Sequence, residues 1–127
     1  MKVIKIPYAN EIPCSIHEVC EPGEESCLKE LKDLIDIDIA EIVLTKIKCE
    51  DPHRDYVLIV DEIGKMKDAW ENRINWRASM FYGGTIHGDP IVGDVVLCAR
   101  EWNSRYGECD LASLGDFEIE QLIFILL

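Results

Sequence analysis

No run in this chain approaches the ~20 consecutive apolar residues that a membrane span requires. No repeat, low-complexity tract or linker divides it, so its 127 residues read as one domain, 1–127, with room for a core. The opening MKVIKIPYANEIPCS has no long apolar segment of the signal-peptide kind. That absence favours the cytoplasm, where thiols stay reduced and disulfides are scarce. Phosphate-cradling patterns are missing too. Gly83-Gly84 and Gly88 match neither the phosphate-binding nor the dinucleotide motif, and no Gly-x-Ser-x-Gly elbow is present. Asp61-Glu62 reads as a solvated strand end, and a Cys98–His87 dyad has nothing to single it out.

Basic residues are also scarce: 13 against 25 acids, for a net charge of −12. A surface of this sign repels DNA and RNA phosphates, so direct nucleic-acid binding is not expected. The charge either serves solubility or fits a basic protein surface, such as a groove built for nucleic acid.

Cysteine, by contrast, is plentiful, with six in the chain. Cys14, His17, Cys20 and Cys27 spell Cys-x2-His-x2-Cys-x6-Cys. Four soft ligands this close suggest a structural zinc site, a disulfide staple, or unrelated half-buried thiols and a surface imidazole. Were residues 14 to 20 fully extended, Cys14 and Cys20 would share one face about 20 Å apart, with His17 on the other. If the segment is a loop between Pro13 and Pro22-Gly23, the ligands converge. Cys49 and His53, four apart in a polar connection, are alternates for the fourth ligand. A hairpin centred near Asn103-Ser104 would set Cys98 opposite Cys109, as packed thiols in a reducing compartment.

The apolar pattern predicts an α+β fold, a small mostly antiparallel sheet with two packed helices. Met1–Ile6, Ser15–Val19, Ile39–Ile47, Tyr56–Val60 and Ile91–Arg100 read as strands, with Gly93 as a bulge. A helix is expected from an N-cap at Ser26 to about Ile35, with Leu28, Leu31, Leu34 and Ile35 on its apolar face. Ala69–Ile74 suggests a helical turn, Ala78–Tyr82 a short strand or turn, and Glu101–Tyr106 a hairpin loop. Ser113-x-x-Asp116 resembles a capping box before a last helix that turns Ile119, Leu122, Ile123 and Leu126 inward.

From Tyr56 onward the order of motifs carries a resemblance. The strand YVLIVDE is followed by Gly64-Lys65, then Asn75-x-Arg77-Ala78. Asp89-Pro90-Ile91-Val92-Gly93 and DVVLCAR come next, then Ser113-Leu114-Gly115-Asp116. Together they resemble a family of small domains of unknown function from phages, plasmids and conjugative elements of Gram-positive bacteria. Members usually run directly from the second strand into the first helix, whereas here CEPGEESC intervenes, and Glu101–Glu108 is also long. Insertions of this kind are where an individual function is grafted. The family brings no catalytic residues, but its setting implies counter-defence. In size and charge the chain is similar to anti-CRISPR proteins, which occupy nucleic-acid grooves with carboxylates. The resemblance therefore implies a non-enzymatic inhibitor that binds a CRISPR effector nuclease and blocks DNA loading. Its expected binding ridge is Glu18, Glu21, Glu24, Glu25, Glu30, Asp33, Asp36 and Asp38. The alternatives are a regulatory or housekeeping module with zinc as a folding clip, and a thiol- or metal-dependent enzyme.

Overall fold

The computed structural model describes residues 1–20, 25–82, 90–105 and 107–126. Six strands form one antiparallel sheet: β1 Lys2–Ile6, β2 Ser15–Glu18, β3 Ala40–Leu44, β4 Arg54–Asp61, β5 Val95–Asn103 and β6 Glu108–Ala112. Their order is β2-β1-β5-β4-β3. β5 is long enough to take two neighbours on one side. β1 pairs with its first half (Ile4 opposite Leu97) and β6 with its second (Ala99 opposite Ala112). β6 runs on into the start of β1, where the Lys2 N–H donates to Ser113 Oγ and the Leu114 N–H to Lys2 O.

Alternation sends successive β1, β4 and β5 side chains to opposite faces, and both faces are covered. Val3, Val57, Ile59, Val96 and Cys98 pack beneath α1 (Glu25–Ile35), which contributes Cys27, Leu31 and Ile35. Ile4, Ile6, Leu58, Val95 and Leu97 pack beneath α2 (Trp76–Tyr82) and α3 (Asp116–Leu126), which contribute Ala78, Phe81, Ile119, Leu122 and Leu126. At about 1.5–3 kcal/mol for each fully buried large apolar side chain, these two layers dominate stability.

The α+β class and the mostly antiparallel sheet are as expected, but among the described residues three α-helices pack on the sheet, not two. The third is α2, at residues expected to be a strand or turn. Its start is set by Asn75, whose Oδ1 accepts from the Ala78 N–H while its Nδ2 donates to Ile6 O and Gly93 O. α1 already includes Glu25, so Ser26 lies inside the helix and is not its N-cap. Ile39–Ile47 shortens to Ala40–Leu44, because Lys46 N–H leaves the ladder to donate to Phe81 O. β5 starts only at Val95, since Gly93 takes φ +85 and its N–H donates to Arg73 O. A Cβ there would meet the Arg73 guanidinium at 3.3 Å in a backbone conformation that side chains rarely adopt.

Two further expectations shift by a few residues. The capping box is not formed by Ser113 and Asp116. Gly115 is the N-cap, its O accepting from the Ile119 N–H, and the Glu118 carboxylate reaches back to accept from the Gly115 N–H at 2.8 Å. The last hairpin turns beyond Asn103, placing Trp102 opposite Cys109. Cys98 is therefore not across from Cys109; it lies fully buried under α1, while Cys109 is exposed.

Candidate functional site

The cysteine/histidine cluster is divided by the sheet. β2 covers only Ser15–Glu18, so strand parity does not extend to Cys14 before it or Cys20 after it. Cys14 packs on the α2/α3 side, where Arg77 Nη1 donates to its sulfur at 3.5 Å. Cys20 and Cys27 pack on the α1 side, with the Cys27 thiol 3.8 Å from Cys20 O. His17 pairs with Val3, so its ring also points to the α1 side, where Nε2 lies 2.7 Å from Ser15 Oγ. The alternates stand apart from this group. Cys49 packs on the α2/α3 side beside Tyr56, and His53 is exposed in the turn before β4. Among the described residues no three His, Cys, Asp or Glu side chains are grouped to hold a metal ion.

Burial governs the thiols. It pushes the Cys98 thiol up to about 12. Burial, aided by neighbouring Cys20 and Glu30, takes Cys27 to about 11. Burial also raises Cys14, against the opposing pull of Arg77. A raised pKa keeps a thiol protonated and poorly nucleophilic at neutral pH. His87 of the conceivable Cys98–His87 dyad lies outside the described residues, as do Gly83, Gly84 and Gly88.

The most connected polar group was not singled out in the sequence. Arg54 Nε and Nη2 donate to Glu118 Oε2 and Oε1 at 3.0 and 2.6 Å, a bidentate fork between β4 and α3. Arg54 Nη1 donates to Glu101, Nη2 also to Ser113 O, and the Tyr56 hydroxyl to Glu118 Oε2 at 2.6 Å. Burial alone would raise the Glu118 pKa. Hydrogen bonds from Arg54, Tyr56 and the Gly115 N–H, with the charge of Arg54, outweigh burial and hold it below the usual carboxylate range. Burial and the bond to Glu118 push Tyr56 well above the ordinary phenol value. With both Glu118 oxygens already accepting, this is a clasp rather than an acid–base pair. The available signal was Arg54 at the head of a strongly apolar strand, a charge that needs a partner.

The motif residues Asn75 and Arg77 are structural too. Arg77 Nη2 donates to Pro7 O, Ala9 O and Ile12 O, tying the β1–β2 connection to α2.

The acidic ridge is only partly assembled. Glu18 opposes Lys2, whose ammonium reaches Asp116 on α3, so Glu18 faces away from α1. Glu30 is on α1 and accepts from the Cys20 N–H at 2.7 Å. Asp33, Asp36 and Asp38 are exposed around the C-terminal end of α1. Glu21, Glu24 and the side chain of Glu25 lie outside the described residues. Asp36 closes the helix in the left-handed region, φ +54. Its N–H donates to Asp33 O, and the Ile37 N–H to Lys32 O. This is a Schellman ending, a place that glycine usually takes. A helix C-terminus carries partial negative charge, so carboxylates there oppose the dipole. Among the described residues no ion pair engages Asp33, Asp36 or Asp38.

No helix among the described residues is long and apolar enough to cross a membrane. No family model, no curated protein and no solved structure matches the chain.

Proposed function

We propose that this protein is a non-enzymatic inhibitor from a phage or mobile element, acting in the cytoplasm of a bacterial host. It docks its acidic α1 end on a basic protein surface meant for nucleic acid. The specific target in this reading is a CRISPR effector nuclease, whose DNA loading it blocks. The observation that carries the proposal is the exposed Asp33, Asp36 and Asp38 at the negative end of α1, none of them in an ion pair among the described residues. Folding favours cations there, and a left-handed C-cap favours glycine, so the carboxylates are kept against local stability. Raised thiol pKa values at Cys14, Cys27 and Cys98 weigh against a thiolate enzyme. Zinc enters this reading as a folding clip on Cys20 and Cys27. One zinc per chain in untagged protein, lost in Cys27→Ser, would support it; metal-free protein returns both thiols to the core.

The test is a DNA-cleavage assay with purified effector nuclease. Wild type should inhibit, and inhibition should weaken as salt screens the charges over a Debye length of about 8–10 Å. Asp33→Lys with Asp38→Lys should raise the half-inhibitory concentration by about tenfold or more without lowering the melting temperature, by losing steering and rim pairs. Full inhibition by the reversed variant, or no inhibition by wild type, would reject the proposal.

A further inference from the structure

α3 is apolar on two sides. Ile119, Leu122 and Leu126 face the sheet, yet Phe117 and Phe124 on the outer side are 71% and 78% exposed, with Ile125 at 53%. A helix apolar all round is normally buried, and this one is not. Phe117, Gln121, Phe124 and Ile125 stand at i, i+4, i+7 and i+8, a continuous outer stripe. The stripe forms one wall of a groove of about 850 Å³ whose floor and far wall include Ile47, Tyr56 and Leu122. The rim carries Glu50, Asp51 and Glu120 against one cation, Lys48, because Arg54 and Glu118 neutralise each other inside the clasp.

We infer that this groove is a second protein-docking site, and that its occupant is a cationic amphipathic helix of a partner. Two exposed phenyl rings seven residues apart stand about 10.5 Å apart along α3. A partner helix repeats its apolar anchors at the same i, i+7 distance, so ring and anchor stay in step. A second copy would bring like-charged rims together on a chain of net charge −12. Lysine or arginine flanking the apolar anchors would meet Glu50, Asp51 and Glu120. The site lies on the α2/α3 side of the sheet, whereas Asp33 belongs to α1, so this goes beyond the acidic docking proposed above.

The probe is a fluorescently labelled synthetic peptide of about 18 residues, five helical turns, with leucine at i, i+3/i+4 and i+7 and lysine elsewhere. Fluorescence anisotropy near physiological salt should show saturable binding to wild type. Phe117→Ser with Phe124→Ser should weaken it by about tenfold or more, as expected for hot-spot aromatics, with an unchanged melting temperature because both rings are exposed. Gln121→Arg, placing a cation in the stripe at an exposed site, should do the same and serves if the double variant melts early. Asp33→Lys with Asp38→Lys should keep peptide capture even where nuclease inhibition is lost. Any of the following overturns the inference: equal binding by the Phe variants, equal binding of a scrambled or glutamate-substituted peptide, a wild-type dimer dissolved by Phe124→Ser, or Phe-dependent binding to zwitterionic lipid vesicles in place of the peptide.

Discussion

At the scale of the residue, single side chains with unusual bonding decide where helices sit. Asn75 uses its donor and acceptor groups in the core to start α2 and to hold β1 and Gly93 beside it. Glu118 accepts four hydrogen bonds and thereby locks α3 onto β4. Its lowered pKa sets a pH dependence. Between the folded-state pKa and the ordinary glutamate value of about 4.3, the unfolded chain binds more protons, so stability rises with pH. This contribution is complete above the ordinary value and is lost as pH falls through the folded pKa. Urea denaturation of Glu118→Gln should show about 2 kcal/mol less stability at neutral pH, since hydrogen bonds to a charged group are weakened. The acid-side slope should also be shallower than in wild type. An unchanged slope would mean that other carboxylates carry it. The clasp partners are 64 residues apart, and nothing local in the sequence announces that Arg54 and Glu118 will meet.

At the scale of the element, local pattern and tertiary contact disagree at definite places. β4 and α1 were readable, because a five-residue apolar run and a helical stripe each match one periodicity. α2 was not, because Trp76–Tyr82 is short and its cap, Asn75, acts from within the core. The Asp36 ending of α1 is an element that could be more stable than it is. Asp36→Gly should raise the unfolding free energy by about 0.5–1 kcal/mol by relieving the left-handed strain and the charge at the helix terminus. In thermal unfolding it should melt higher than wild type. Paired with weaker nuclease inhibition, that gain would show the carboxylate kept for binding at a cost in stability.

At the scale of the whole molecule, helices on both faces of one sheet divide the cysteines into different environments. The sheet puts Cys14 and Cys49 on one side and Cys20, Cys27 and Cys98 on the other. Cys109 is exposed on β6. Alkylation with iodoacetamide should therefore modify Cys109 first and Cys98 last. Cys98 is fully buried and its thiol stays protonated, so its labelling should follow global unfolding. Mass spectrometry of timed samples measures this order, and early labelling of Cys98 would mean that α1 opens independently of the sheet.

Composition and periodicity alone determined the α+β class, the acidic surface, the buried central strands, and the inward faces of α3 and of α1, except that Leu28, expected to face inward, is 43% exposed while Cys27 is buried beside Leu31. These follow from side-chain polarity at short spacing, which the linear chain displays directly. Only the tertiary structure decided which cysteines share a face, that Glu18 turns away from α1, and that Arg54 finds Glu118. It also decided that the outer stripe of α3 is left uncovered beside a groove. Each depends on strand register, on helix placement across the sheet, or on contacts between residues far apart in the chain. A one-residue change of register sends a side chain to the opposite layer, so spacing in the sequence does not carry that information.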